Sequence, residues 1–463
     1  MATGIPATAR AEGTTARTAD ESIDLVYENK RSRDHILGQA PHRFVTLRDG
    51  GRDNRLYYAD NLLVLRSLVR DRSVAGQVRL VYIDPPFATR SRFHSRRLDH
   101  AYEDTLSGAA YVEYLRERLI LLREILAEDG SIYLHLDEKM VFHMKLVMDE
   151  VFGASHYRNC IVRKKCNPKN YTRRAFGNVA DFILFYTKSD EFLFNRATEP
   201  WTAERAREYR FVEPGTGRRF MKVPIHAPGV RHGATGQPWR GKLPPPGKHW
   251  QHPPSVLEEM DAGGVISWSA NGNPRRKAYL DESPGVPVQD IWMDFRDAHN
   301  QNVEITGYPT EKNPALLARI IEASSNRGDL VMDCFAGSGT TLATAATLSR
   351  RWIGVDDGIE SLRTILRRFA SGTAPMGDFV VARKRRGARA HAATPTRVTP
   401  AASGLVHQPI RDFQLLADAG RAEAFGELVD RIPALPDATP LVDVRAPRRR
   451  SRRAATQRRR VSG

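Results

Sequence analysis

The chain has 463 residues, 41% of them hydrophobic, and a formal net charge of +17. That length allows two or three domains with a sizeable core, and the charge points to a polyanionic partner, nucleic acid ahead of an anionic membrane surface. Three cysteines without paired spacing, no long apolar run and no apolar stretch near the start exclude a disulfide scaffold, a structural zinc module, a spanning helix and a secretory signal. A cytoplasmic protein with no membrane partner is therefore expected.

Residues 1–40 are polar and rich in Ala, Thr and Arg, the composition of a disordered arm. From 41 to 195 strand and helix patterns alternate. Phe44 to Leu47 and Leu56 to Tyr58 read as strands, and Leu62, Leu63, Leu65, Leu68 and Val69 share one helical face. Val78 to Ile83 is a short apolar run suited to a buried parallel strand, and it ends at Asp84-Pro85-Pro86-Phe87. Leu115, Leu119, Leu122, Ile125 and Leu126 give Ala110 to Leu126 helical periodicity. Strands over Ser131 to Leu136 and Asp181 to Tyr186 flank a further helix over Lys139 to Val151. Such alternation predicts an α/β protein with a Rossmann-like, doubly wound, mostly parallel sheet.

Between 196 and 290 the character changes. Gly and Pro become frequent, and Trp239, Trp250, Trp268 and Tyr279 interleave with Arg, Lys and His. This reads as an irregular insert whose aromatic and basic residues suit nucleic-acid contact, or equally a small loop-rich core. From 291 to 372 α/β character returns, with helices over Ala315 to Ala323, Thr340 to Leu348 and Ile359 to Arg368 and strands over Leu330 to Met332 and Trp352 to Val355. The stretch 373–463 drifts into Ala, Pro, Thr and Arg and is expected to be a basic, largely disordered extension. One or two appended helices are expected over Phe413 to Leu428. Nine arginines and no carboxylate follow from Arg445 onward, a tail suited to salt-sensitive attraction to phosphates.

Two segments carry chemistry. In Asp333-Cys334-Phe335-Ala336-Gly337-Ser338-Gly339-Thr340-Thr341, a predicted strand turns into a predicted helix. Gly337 and Gly339 let the backbone turn sharply and approach a ligand, and the N–H groups opening the helix can hold a carboxylate. The next predicted strand ends at Asp356, where an acid can accept hydrogen bonds from ribose hydroxyls, with Asp357 as its alternative. Strand, glycine turn, helix, strand and terminal acid in that order suit an adenosyl cofactor. The plainer alternative is a tight turn with no ligand. No phosphate-cradling Gly-Lys-Ser/Thr follows, which disfavours nucleoside triphosphates.

The second segment is Asp84-Pro85-Pro86-Phe87. An exocyclic amine on a nucleobase is a poor nucleophile because its lone pair is delocalised into the ring. The Asp84 carboxylate and the Pro85 carbonyl can accept its hydrogens and favour a pyramidal nitrogen. The two prolines fix the backbone and remove competing donors, and Phe87 can stack on a base rotated out of the duplex. Attack on a sulfonium methyl then needs positioning and electrostatics, with no metal and no covalent enzyme intermediate. C5 chemistry on cytosine would need a nucleophilic Cys, commonly after Pro, and no Cys here follows a Pro.

On these motifs the chain resembles the permuted beta group of site-specific DNA amino-methyltransferases of bacterial restriction-modification systems. The likeness runs from about Arg55 to Phe369. It takes in Tyr58-Ala59-Asp60-Asn61, where the family usually has Gly-Asp-Asn, and Tyr308-Pro309-Thr310-Glu311-Lys312-Asn313-Pro314, near the family's Pro-Thr-Gln-Lys-Pro. The tetrapeptide ends in Phe87 in place of the usual Tyr. The resemblance implies S-adenosyl-L-methionine as cofactor, with Asp60 at its adenine end, Asp356 at the ribose, Asp333 and Phe335, Gly337, Ser338, Gly339 and Thr340 around the methionine end, and Thr310 and Lys312 beside the pocket. It implies catalysis by Asp84, Pro85, Pro86 and Phe87 on N6 of a flipped adenine in double-stranded DNA, because Asp in first position goes with adenine and Ser with cytosine N4. A cytosine-N4 enzyme and a non-catalytic DNA-binding subunit are the alternatives. It also implies a methyltransferase domain split into a catalytic half, 41–195, and a cofactor-binding half, 291–372, around a target-recognition region, 196–290. A homodimer and a separate restriction subunit are partners it leaves open.

Overall fold

The structure is a computed structural model that describes residues 25–86, 92–94, 100–103, 108–167, 174–295, 306, 308, 311–372 and 409–426. Phe87 and Thr310 lie outside them, as do the arginine-rich tail and the first 24 residues. The chain divides into two compact units: Arg196–Val288, and the described residues on either side of it.

The larger unit is built on one ten-stranded sheet. Its strands in chain order are β1 (Val45–Asp49), β2 (Arg55–Tyr58), β3 (Val78–Ile83), β4 (Leu126–Leu136), β5 (Tyr157–Lys164), β6 (Ala180–Thr187), β7 (Ile291–Trp292), β8 (Leu330–Asp333), β9 (Arg351–Asp356) and β10 (Gln414–Ala417). Across the sheet they run β1-β10-β2-β9-β8-β3-β4-β6-β5-β7. The centre, from β10 to β4, is parallel throughout, and β6 pairs antiparallel with both neighbours. The helices are α1 (Arg33–Gly38), α2 (Asn61–Leu68), α3 (Ala109–Ile125), α4 (Val141–Phe152), α5 (Pro314–Ser324), α6 (Thr340–Thr347), α7 (Ile359–Ser371) and α8 (Ala419–Gly426). No helix among the described residues is long and apolar enough to cross a membrane.

Central strands such as Leu-Val-Tyr-Ile in β3 are apolar without alternation because both their faces are covered. The chain leaves β8 through α6 to reach β9 on one side, and leaves β3 through α3 to reach β4 on the other. The strand order therefore reverses between β8 and β3, which are paired in parallel. A crevice at the carboxyl ends of those two strands is where an open α/β sheet binds ligands.

Three expectations need correction. The arm expected over residues 1–40 is ordered from residue 25: Ser32 caps α1 by accepting from the His35 amide at 3.2 Å, and Ile36 is buried. Burial of one such side chain contributes about 2 kcal/mol. Lys30 pairs with Glu150 at 2.8 Å, and Arg31 and Arg33 pair with Glu117 and Glu124 of α3. Composition misleads here because the basic run is matched by carboxylates far along the chain.

The segment from Phe413 starts as a strand rather than a helix. β10 slots between β1 and β2, and its neighbour Phe413 packs on Trp352 and Phe369. Four residues are too few to show a period, and only the long-range pairing makes them a strand.

The insert, finally, is not irregular. Arg196–Val288 contains a four-stranded antiparallel sheet with edge-to-edge order Phe211–Val212, Arg219–Val223, Pro274–Tyr279 and Ile266–Trp268, together with a helix over Pro254–Ala262. Trp239, Trp250 and Leu257 form its core, and the Trp239 and Trp268 indole N–H groups donate to Glu258 and Asp261, each at 2.8 Å. Tyr279 is buried as well. Trp239, Trp250 and Tyr279 are thus buried and stabilise the unit, while Trp268 is partly exposed.

Candidate functional site

A cavity opens at the β8–β3 crevice, with Asp84, Pro85 and Pro86 on one wall and the segment Asp333 to Thr341 on the other; Asp60, Asp356 and Asp357 close one end. Two stretches some 250 residues apart in the sequence thus share one site.

The turn after β8 is held from several sides. Gly339 sits at φ 71° as the residue before α6, and a Cβ there would come within 2.9 Å of Ile365, so glycine is required both by conformation and by space. Asp333 accepts from the Phe335 amide at 2.9 Å and from the Thr341 hydroxyl at 2.6 Å. Asp356 ends β9 and accepts from the amides of Gly337 at 2.8 Å and Gly358 at 2.9 Å. Burial pushes both carboxyls up to about 7; neighbouring carboxylates add to the rise, and these hydrogen bonds oppose it. Cys334 is buried, and its carbonyl accepts from Asn61. Burial raises its thiol, which fits a packing role.

The Asp60 end of the cavity is set by α2 and α3. Asp60 is the N-cap of α2, accepting from the Leu62 amide at 2.7 Å. Arg118 of α3 is buried beneath it. Its guanidinium lies 3.5 Å from Asp60, donates to Asn61 at 2.5 Å and stacks on the Tyr114 ring.

Asp84 follows β3. Its Oδ2 pairs with Lys312 at 2.5 Å. Its Oδ1 is buried and has no hydrogen-bond partner among the described residues. Lys312 stands between two residues with quite different roles. Glu311 accepts from the Thr306 amide and hydroxyl and pairs with Arg368 of α7. Arg368 in turn donates to the Ser338 carbonyl at 2.8 Å and the Thr340 hydroxyl at 3.1 Å, so one buried ion pair ties the glycine turn to the segment that carries Lys312. Asn313, where the family often has Pro, caps α5 by accepting from the Ala315 amide at 2.9 Å, with Pro314 at the first helical position.

Of the residues singled out in the sequence, Asp60, Asp84, Pro85, Pro86, Lys312, Asp333, Phe335, Gly337, Ser338, Thr340 and Asp356 line this one cavity, and Gly339 lies within its turn. Arg118, Tyr114, Glu311, Arg368, Tyr82 and His135 were not foreseen. Apart from the Arg118–Tyr114 and Glu311–Thr306 contacts, their partners lie tens or hundreds of residues away, and only Glu311, inside the quoted motif, carried a local signal. Among the described residues no cluster of His, Cys, Asp or Glu could hold a metal ion.

A parallel sheet with a glycine turn at its switch point, a terminal acid on the next strand and Asp84 on the opposite wall of the cavity suits an α/β group-transfer enzyme for an adenosyl donor. The comparisons with known proteins narrow this. A family model described as DNA methylase matches residues 78–367. A type II methyltransferase of Enterobacter cloacae, M.EcaI, is 49% identical over 328 residues, 71% of this chain and 72% of that protein. The Mod subunit of the type III restriction-modification enzyme StyLTI of Salmonella typhimurium is 25% identical over 383 residues, 72% of this chain and 58% of that protein. The DNA adenine methyltransferase YhdJ of Escherichia coli is 42% identical over 96 residues, 21% of this chain and 31% of that protein. The chain belongs to the family of DNA methylases acting on amino groups. It is a DNA methyltransferase whose methyl donor is S-adenosylmethionine.

The lining is compatible with that donor: Asp60 and Asp356 are carboxylates on it, and Gly337 adds no side chain to the turn.

Proposed function

We propose that the enzyme methylates N6 of adenine in duplex DNA, with Asp84 as the residue that engages the amine. The observation that carries this reading is the buried Oδ1 of Asp84, which has no hydrogen-bond partner in a wall shared with the glycine turn. An amine hydrogen satisfies that acceptor, and the Pro85 carbonyl takes the second, which localises the nitrogen lone pair. Lys312, paired with Oδ2, orients the carboxylate. Asp60 and Asp356 bind the adenosine moiety, and the turn from Phe335 to Thr340 binds the methionine moiety, where Asp333 and Lys312 set its orientation. Thr310 borders the same pocket, and Phe87, next along the chain, supplies the stacking face. The bound donor supplies a sulfonium-activated methyl group. Asp in first position and the adenine-specific relative favour adenine over cytosine N4.

The compact unit Arg196–Val288 is the target-recognition module, inserted in sequence between the segments that carry Asp84 and Asp333. The chain acts in the bacterial cytoplasm. Where it serves in restriction, a separate subunit cuts, as the Mod subunit relative suggests.

The test is a labelled-methyl assay on duplex DNA followed by nucleoside analysis. Wild-type enzyme should yield N6-methyladenine, and Asp84→Ala should lose at least about 1,000-fold in rate while still binding the donor. N4-methylcytosine as the product, or an Asp84→Ala rate equal to wild type, sinks the reading.

A further inference from the structure

Behind Asp84 lies a row of buried polar side chains that the chemistry above leaves unused. His135 of β4 is fully buried between Tyr82 of β3 and Asp181 of β6. Its Nδ1 is 2.8 Å from the Tyr82 hydroxyl and 4.0 Å from Asp84 Oδ1, and its Nε2 is 3.5 Å from Asp181 Oδ2. Asp181 is also met by Lys165 at 2.9 Å and by Arg163 of β5 at 3.3 Å. Burial alone would raise the Asp181 carboxyl, but His135, Lys312 and Lys165 hold it well below the usual range.

An ionised Asp181 admits only an N–H at Nε2. Burial pushes His135 down, so the ring is neutral with a single ring proton. At 3.5 Å the Asp181 carboxylate is an electrostatic neighbour of Nε2, not a hydrogen-bond partner; it favours the proton there, which leaves Nδ1 to accept from the Tyr82 hydroxyl. The ring nitrogen nearer Asp84 therefore has no hydrogen to give.

We propose that Tyr82, His135 and Asp181 are positioning residues that lock the imidazole in its Nε2–H tautomer and so keep a competing donor away from Asp84 Oδ1, which turns to the target amine when the base enters. The inference rests on the reading of Asp84 as the amine's acceptor. With the tautomer reversed, or with a second proton on the ring, Nδ1–H faces a carboxylate oxygen 4.0 Å away. A small side-chain movement then closes that bond, and the protein consumes its own acceptor. Lys312 already occupies the other oxygen, so the carboxylate has none left to offer.

Three variants test this in single-turnover methyl transfer from pH 5.5 to 8.5, each with donor affinity and thermal unfolding measured alongside. Tyr82→Phe leaves Nδ1 without its donor and favours the doubly protonated ring, which Asp84 and Asp181 both attract. The acid limb of the rate profile should move up by about one pH unit, slowing transfer near pH 6 about tenfold, with donor affinity unchanged. Asp181→Asn removes the demand for Nε2–H and should slow transfer about 100-fold across the range. His135→Phe/Asp181→Asn has no ring N–H and should run faster than Asp181→Asn alone, which a merely structural role does not predict. Tyr82→Phe with the wild-type profile, or a double variant no faster than Asp181→Asn, overturns the inference. In that case an inactive Asp84→Ala leaves the acceptor reading intact, whereas an active Asp84→Ala removes both.

Discussion

Asp333 and Asp356 are carboxyls whose burial lifts them to about 7 in the folded protein, against about 3.9 in an unfolded chain. Between those values the folded state binds protons that the unfolded state does not. Their contribution to stability therefore falls as pH rises from about 4 to about 7, and is constant above. Donor binding has the opposite sign. A sulfonium and an ammonium favour nearby ionised carboxylates, and ribose hydroxyls donate to a carboxylate better than to an acid. S-adenosylmethionine affinity should thus rise between pH 6 and 8, with release of protons. Calorimetry in two buffers of different ionisation enthalpy measures that release directly. A pH-independent affinity would mean that both groups are already ionised in the free enzyme.

At the scale of single elements, α7 matters for what it carries. Its Arg368 is buried against Glu311 and grips the turn at Ser338 and Thr340. Arg368→Met strands a buried carboxylate and should cost about 3–5 kcal/mol in urea unfolding, whereas Arg368→Met with Glu311→Leu should recover most of that. Donor affinity should stay weakened in the double variant, because the turn has lost its grip. Elements of this kind mark the limit of what was legible. β3, α3, α6 and β9 could be read because each is a long enough apolar or periodic run, β8 because it leads straight into the glycine motif, and Asp84 and Asp333 because their motifs are contiguous. β10 and the helix at Arg33–Gly38 were missed because both are short and gain their stability from partners far along the chain. Arg118, His135 and Arg368 gave no local sign for the same reason: each is an ordinary residue of an amphipathic helix or a buried strand until the fold brings its partner to it. The insert was legible only as two alternatives, since tryptophans among arginines suit a nucleic-acid surface as well as a small core; Trp239 and Trp250 do form a core.

At the scale of the whole molecule, the sheet is completed from both ends of the chain. β10 separates β1 from β2, with Val45 opposite Ala417 on one side and Arg55 beside Gln414 on the other. Arg48 donates to the Phe413 carbonyl at 2.6 Å, and α8 brings Arg421 to 3.4 Å from Asp357 at the end of the cavity. A chain ending after residue 372 should be poorly soluble and fail to bind the donor, while one ending after residue 430 should fold and bind it; solubility and calorimetry decide between them. The order of synthesis then acquires a meaning. On the ribosome β2 is made early, but one of its two neighbours emerges only after the rest of the sheet has been translated. Until then the strand that leads into Asp60 has an open edge, so donor binding should first appear when residue 417 has emerged, a timing that chains stalled on either side of that point would reveal.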